Sequence, residues 1–157
     1  MRILVVYDSS YGNTEAVAKV IGEAVGGDTA VLPATQTAPA NLASAGLLIV
    51  GTPTQGGKPT PAIMELLGGL PPDGLAGVRV AAFDTRFAAA DHGLALQLLM
   101  RVIGYAAPRI ARTLQAKGGS LVAPPEGFIV QGKEGPLKEG ELQRATSWMT
   151  TIAESLN

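Results

Sequence analysis

Short apolar runs alternate along the chain with segments in which apolar residues recur every three or four positions. The runs cover residues 3–7, 29–33, 47–51, 78–84 and, less regularly, 121–130. Runs of consecutive aliphatic residues indicate strands buried on both faces, as in a parallel sheet covered by helices. Pro124 and Pro125 interrupt the last run, which therefore predicts an edge strand or a split strand, because proline cannot donate to a central ladder.

The intervening segments have the three-to-four-residue spacing of amphipathic helices. Their apolar stripes are Val17, Val20, Ile21, Ala24 and Val25; Ala95, Leu98, Leu99, Val102 and Ile103; and Leu142, Ala145, Trp148, Met149 and Ile152. Thr60 and Pro61 predict the start of a short helix over 62–67, since their types are favoured at the N-cap and first helical position. Pro108 predicts the start or a kink of a further helix that ends at 117–118. Strand–helix alternation throughout predicts a doubly wound α/β domain.

Length and composition narrow the class of protein. A chain of 157 residues with 46% hydrophobic and 16% charged residues is expected to form one well-cored domain over 1–157. The net charge of −1 supplies no global attraction to nucleic acid. The absence of cysteine and the presence of one histidine, His92, exclude disulfides, thiolate metal sites and multi-histidine metal sites.

No apolar stretch of the sequence approaches the ~20 residues of a membrane-spanning helix. The run at 3–7 is too short for a signal peptide. We therefore expect a cytoplasmic protein with no membrane insertion.

Charge is unevenly distributed. Arg101, Arg109, Arg112 and Lys117 lie within residues 92–125, which contain no Asp or Glu. One interpretation is a solvated helix face, and the other is a docking patch for an acidic partner.

Three polar loops follow predicted strands of the sheet. They are SSYGNTE at 9–15, TPTQGGKPTP at 52–61 and DTRFAAADHG at 84–93. In a doubly wound sheet, ligands bind at the carboxyl ends of the strands near a topological switch point. The first loop is rich in hydroxyl and amide groups and leads into a helix N-terminus, which favours an anion. It contains no Lys or Arg, and it matches neither a Walker P-loop nor a GxGxxG fingerprint. Neutral donors alone suit a monophosphate that is held and not transferred.

SSYGNT at 9–14 resembles the (S/T)-x-(T/Y)-G-x-T phosphate loop of flavodoxins and flavodoxin-like FMN proteins. TPTQGG at 52–57 is similar to the Thr-Pro-Thr loop of that superfamily, and FDTRF at 83–87 lies where its second flavin-flanking loop follows the fourth strand. The resemblance implies an α/β flavodoxin-like fold, a five-stranded parallel sheet of order 2-1-3-4-5 with helices on both faces. It also implies a non-covalently bound FMN as cofactor.

The resemblance further implies which residues hold the cofactor. Those expected around the phosphate are Ser9, Ser10, Tyr11, Gly12, Asn13 and Thr14. Those expected to bracket the ribityl chain and the ring are Thr52, Pro53, Thr54, Gln55 and Gly56. Those expected to close over the other side are Asp84, Thr85, Arg86 and Phe87. No residue is assigned a catalytic role, and no metal site is expected.

Two features depart from the flavodoxin pattern. Residues 52–61 contain no aromatic side chain, and Trp148 lies on a helical stripe, where we expect it in the core. The chain is also nearly neutral, whereas carrier flavodoxins tend to be acidic. Both departures favour a flavin that a small substrate can reach.

Three functions therefore remain open. The first is an FMN-dependent electron carrier with a redox partner protein. The second is a quinone-reductase-like flavoenzyme that uses NAD(P)H and a small quinone. The third is a flavin-free interaction domain, against which the absence of an acidic pocket argues, since the third strand ends in Gly51-Thr52-Pro53.

Roles of single residues also remain open at this point. Arg86 either contacts the flavin and stabilises its reduced anion or pairs with Asp84 or Asp91. Phe87 either stacks on the ring or packs in its loop. His92 either protonates a product or caps a helix.

Overall fold

A computed structural model describes residues 1–87 and 93–157. Eight strand and helix segments lie within residues 1–87, and five lie within residues 93–157. In chain order they are β1 (Ile3–Tyr7), α1 (Asn13–Val25), β2 (Thr29–Pro33), a 3₁₀ turn (Ala34–Gln36), α2 (Pro39–Leu42), β3 (Leu47–Pro53), α3 (Pro61–Gly68), β4 (Arg79–Phe87), α4 (Leu94–Ile103), α5 (Ala106–Ala116), β5 (Ser120–Leu121), β6 (Glu126–Val130) and α6 (Glu141–Ser155).

The strands form one parallel sheet in the order β2-β1-β3-β4-β5, with β6 also paired to β4. The predicted order 2-1-3-4-5 is confirmed, and the fifth position is split between β5 and β6. Pro124 and Pro125 separate the two segments, as expected of residues that cannot donate to the ladder. β2 lies on one side of β1, and β3 lies on the other. The topological switch point is therefore between β1 and β3.

A hydrophobic core lies on each face of the sheet. Successive side chains of each central strand point to opposite faces and so pack into different cores. In β1, Leu4 and Val6 pack with the α3 and α5 side of the sheet, whereas Val5 and Tyr7 pack with the α1 and α6 side. Helices therefore cover both faces, as the uninterrupted apolar runs predict. Trp148, which we expected in the core, is only partly buried. It packs against the core that contains Val5 and Tyr7 and meets Phe83 edge-on, with ring centroids 6.2 Å apart.

The register of the parallel strands brings their carboxyl ends to the same edge of the sheet. Tyr7 at the end of β1 lies beside Gly51, Pro53 at the end of β3 lies beside Thr85, and Phe87 lies beside Val130. The segments that follow β1, β3, β4 and β6 therefore meet at this edge.

Candidate functional site

The loop after β1 forms an open cradle at the start of α1. Gly12 is the N-cap and has a left-handed φ of 93°, a conformation that other residue types adopt only with strain. Its N–H donates to Ser9 Oγ at 3.0 Å. The Ala16 N–H donates to the Gly12 carbonyl, so the N–H groups of residues 13–15 precede the first helical hydrogen bond. A Cβ placed on Gly12 would meet no atom within 4 Å. Open space therefore faces a set of N–H donors.

Thr14 joins this cradle to β4. The side chain is 1% exposed, and its hydroxyl shares a 2.8 Å hydrogen bond with the hydroxyl of Thr85. Thr14 lies in the first turn of α1, where the positive end of the helix dipole is concentrated. One buried hydroxyl pair therefore connects two of the three predicted binding segments.

The loop after β3 forms a tight turn over the cradle. Gln55 and Lys58 exchange two backbone hydrogen bonds of 2.9 and 3.0 Å. Gln55 Nε2 donates to Ser10 Oγ at 3.2 Å, which ties this turn to the first loop. Thr52 is buried and its hydroxyl accepts the N–H of Thr60 at 3.1 Å. Thr52 therefore holds the base of the turn, while Thr54 and Gln55 line the space above it.

The third predicted segment is not a loop. Residues 84–87 continue β4, so the prediction that a loop begins at Asp84 is wrong: these residues pair with Thr52 and Pro53 on one side and with β6 on the other. Thr85, Arg86 and Phe87 line the pocket, and Phe87 is 37% exposed.

Asp84 is fully buried and supports Arg86 from behind. Its carboxylate accepts hydrogen bonds of 2.6 and 2.8 Å from the Arg86 guanidinium and one of 2.8 Å from the Ala107 N–H. Burial raises the pKa of the Asp84 carboxyl, and the Arg86 cation and the Ala107 N–H oppose that rise. The guanidinium also lies 3.8 Å from the centre of the Tyr105 ring. Arg86 thus both pairs with Asp84 and lines the pocket. Pairing with Asp84 and contact with a ligand in the pocket are therefore compatible roles for Arg86.

Together these segments enclose a pocket of about 310 Å³, within the size range of small-molecule sites. Eleven of the fifteen predicted residues line it. They are Ser9, Ser10, Tyr11, Asn13, Thr14, Pro53, Thr54, Gln55, Thr85, Arg86 and Phe87. The other four, Gly12, Thr52, Gly56 and Asp84, lie outside the lining. His92 falls outside the described residues.

Two residues of the wall were not predicted. Val130 ends β6, and Lys133 follows it in the next turn. Asn13 Nδ2 donates to the Glu134 carbonyl at 3.2 Å, which places this turn against the start of α1. The pocket therefore contains a lysine from another loop in addition to the neutral donors of residues 9–15. The position of Lys133 just after the last apolar run was the available sequence signal.

An ion-pair cluster fixes the position of β6 and of the turn that follows it. Glu141 accepts the Ile129 N–H at 2.6 Å and two hydrogen bonds of 2.9 and 2.8 Å from Arg144. Arg144 also donates to the Gly127 carbonyl. The Arg144 guanidinium and the Ile129 N–H hold the pKa of the Glu141 carboxyl below its ordinary value, against the effect of burial.

Other kinds of site find little support in the described part of the chain. Within residues 1–87 and 93–157, no three His, Cys, Asp or Glu side chains are grouped so as to hold a metal ion. None of the helices described is long and apolar enough to cross a membrane.

Comparison with known proteins supports the same fold. The family model for flavodoxins matches residues 5–148. The solved structure of oxidised flavodoxin 1 from Bacillus cereus has 15% sequence identity and a TM-score of 0.76, with 100% of both chains covered. A flavodoxin from the domain Archaea has 23% identity and a TM-score of 0.73, with 99% of each chain covered.

A larger protein contains the same fold as one part. The rubredoxin oxygen:oxidoreductase of Desulfovibrio gigas has 21% identity and a TM-score of 0.73, with 99% of this chain but 36% of that chain covered. No curated protein sequence matches this chain.

Proposed function

The chain belongs to the flavodoxin family and is an FMN-binding electron-transfer protein, and we propose that its flavin binds in the pocket formed by the loops after β1 and β3, the end of β4 and the turn after β6. The observation that carries this proposal is the open cradle at the N-terminus of α1, which leads directly into a pocket with an aromatic rim. Tyr11 and Phe87, which are 50% and 37% exposed, provide that rim.

The chemistry of the donors fits FMN in two ways. Ser9, Ser10 and Thr14 present hydroxyls beside the N–H groups that open α1, and such a set suits a phosphate dianion. Thr54 and Gln55 add hydrogen-bonding groups to the same pocket. The absence of a protein atom within 4 Å of a Cβ at Gly12 leaves room for phosphate oxygens to approach the backbone.

The residues of this chain would bind and orient the cofactor. When bound, FMN supplies the redox chemistry by accepting and releasing electrons on its ring system. Arg86 lines the pocket and is held by Asp84, so its guanidinium has little freedom to turn away. The Asp84 carboxylate balances most of the Arg86 charge. Arg86 would therefore act chiefly as a fixed hydrogen-bond donor, since Asp84 takes two of its five N–H groups.

Lys133 would provide the cation for the phosphate. The turn that carries it is tied to Asn13 at the first position of α1, so we expect its ammonium group near the cradle end of the pocket. Two unit charges 4 Å apart in water attract by about 1 kcal/mol, and salt screens the attraction. We expect Lys133→Gln to weaken FMN by about 3- to 10-fold at low ionic strength and to leave riboflavin binding unchanged.

The matched control for Lys133 is Arg2→Gln, which removes an exposed cation at the opposite, amino edge of the sheet. Fluorescence titration of each variant with FMN and riboflavin, at low and high salt, makes the comparison. An equal loss for both ligands, or a loss that persists at high salt, contradicts the role of Lys133.

The proposed function itself is tested by incubating the purified protein with FMN, removing free ligand and recording the visible spectrum. A yellow protein and quenched FMN fluorescence are the expected results. A colourless protein that leaves FMN fluorescence unchanged refutes the site.

Members of this family pass electrons to redox partner proteins, and nothing among the described contacts favours the quinone-reductase alternative. Steady-state oxidation of NAD(P)H by the FMN-loaded protein with a benzoquinone is the check: sustained turnover supports the reductase and argues against a dedicated carrier. We also propose that residues 1–157 act as one domain, since all the described strands share one sheet. The cytoplasmic location stays a prediction.

A further inference from the structure

Three leucines of α4 are exposed on the protein surface. Leu94 is 69% exposed, Leu98 51% and Leu99 50%. Residues four positions apart on a helix are neighbours, so Leu94 and Leu98 form a continuous apolar strip with Leu99 at its side. The stripe that the sequence predicts is therefore not buried at Leu98 and Leu99. Clustered apolar side chains of this size on a surface mark an interaction site.

The carboxyl end of the helix that carries these leucines lies close to the proposed flavin pocket. The last residue of α4, Ile103, lies two positions before Tyr105, whose ring stacks on the Arg86 guanidinium at 3.8 Å. The next N–H, that of Ala106, donates to Thr54 Oγ1 at 3.2 Å. Two residues span at most about 7 Å, so the end of α4 is close to the pocket wall. A protein that covers α4 therefore reaches the edge of the pocket.

The segment that contains α4 is also the basic part of the chain. Residues 93–125 contain four Arg or Lys and no Asp or Glu, whereas the remaining residues contain eight Arg or Lys and thirteen Asp or Glu, a net charge of −5. Arg112 is exposed on α5. Lys117 follows the end of α5, and its Nζ donates to the Leu70 carbonyl at 2.6 Å. A charge asymmetry of this kind orients a diffusing partner before contact.

We propose that α4 and α5 form a docking surface for an acidic electron-transfer protein. An apolar patch of the partner covers Leu94, Leu98 and Leu99, and carboxylates around that patch face the cations of α5, including Arg112. The geometry places the partner beside the pocket, so the proposal rests on the proposed function of that pocket. On transfer, the partner's redox centre loses one electron and the bound flavin gains it, with no bond broken.

The probe is an acidic [2Fe–2S] ferredoxin, chemically reduced and mixed with the FMN-loaded protein in a stopped-flow instrument. We expect a rate constant that falls at least about tenfold between low and high salt. Arg112→Glu should slow the reaction about 3- to 10-fold at low salt and flatten its salt dependence. Leu98→Gln should slow it at every ionic strength, because the apolar contact is not screened.

The matched control is Arg79→Glu, the same charge change at an exposed residue at the amino end of β4. Its rate constant should stay within about twofold of the wild type, since that edge of the sheet lies away from the pocket. The FMN affinity of all three variants should equal that of the wild type, because none of these residues lines the pocket.

Ferric cytochrome c, a basic protein, provides the opposing probe when mixed with the FMN-loaded protein whose flavin has been chemically reduced, so that one electron passes from flavin to haem. A rate constant that falls with salt for cytochrome c but not for ferredoxin overturns the proposal, as does a ferredoxin rate unaffected by Arg112→Glu. Sedimentation velocity tests the other occupant: a dimer that Leu98→Gln dissociates means that a second copy covers α4, and the proposal is then wrong. Normal FMN binding in these cases leaves the proposed function intact. A wild-type protein that binds no FMN refutes the proposed function, and the docking proposal fails with it.

Discussion

Thr14→Val tests the cradle most directly, because valine preserves the shape of threonine and removes only its hydroxyl. The Thr14 side chain is 1% exposed and its hydroxyl lies 2.8 Å from that of Thr85. With one hydrogen in each hydroxyl, Thr14 can donate to phosphate while accepting from Thr85. A hydrogen bond to a charged group contributes about 1.5–3 kcal/mol, so FMN affinity should fall about 10- to 150-fold. Riboflavin, which has no phosphate, should lose less than about threefold.

The control is Thr85→Val, which breaks the same hydroxyl pair from the other side and leaves the Thr14 hydroxyl in place. Thr14→Val removes both the proposed phosphate donor and the hydroxyl pair that supports α1, whereas Thr85→Val removes only the pair. Isothermal titration of both variants with FMN and riboflavin therefore separates the two effects. Denaturant unfolding of the apo proteins should show similar destabilisation for both, about 1–3 kcal/mol, since each leaves one buried hydroxyl unpaired. Equal losses of FMN and riboflavin affinity in Thr14→Val would falsify the phosphate contact.

Two further predictions concern the framework of the site. Glu141→Gln should lower the free energy of unfolding by about 1.5–3 kcal/mol near neutral pH. The folded-state pKa of Glu141 lies below its usual value. The carboxylate's contribution to stability is therefore complete above that usual value and disappears as pH falls through the folded-state pKa. Denaturant unfolding of both proteins from pH 7 to pH 3 measures this loss, and a difference in unfolding free energy that does not change with pH contradicts it. Gly51→Ala should lower the free energy of unfolding by about 1–3 kcal/mol or more, because the new Cβ would overlap the buried Phe83 ring. Gly68→Ala is the control and should not destabilise the protein, because a Cβ there meets no atom within 4 Å. Equal thermal midpoints for the two variants would contradict the overlap.

The hydrophobic pattern alone predicts the α/β class of the fold, because its signals are local. Uninterrupted apolar runs identify strands buried on both faces, and the spacing of Val17, Val20 and Ile21 identifies a helix that packs on them. The double proline at 124–125 also predicts that the last strand is split or lies at an edge, since the missing N–H is a property of the residue itself. The 3₁₀ turn and the four-residue α2 were not predicted, because elements of one turn have too few residues to show a period.

The site residues also fall into two groups: those that consecutive sequence positions predict and those whose roles depend on contacts across the fold. The residues after β1 carry their chemistry in consecutive positions, and eleven of the fifteen residues named from the sequence line one pocket. The roles of Asp84 and Arg86 depend on contacts across the fold. Asp84 turns inward to the Ala107 N–H, 23 residues away, and this burial makes it a support for Arg86 instead of a wall of the pocket.

By itself, the sequence determined a parallel α/β sheet, its order through the flavodoxin resemblance, and the hydroxyl-rich cradle at the start of α1. Only the tertiary structure decided that Lys133 lines the pocket, that residues 84–87 are a strand, and that Leu98 and Leu99 are exposed. The physical reason is the range of the interactions. Periodicity and turn chemistry act between neighbours in the chain, whereas the electrostatics of the pocket depend on side chains that the sheet register brings together from distant loops, as Asn13 meets Glu134 across 121 positions.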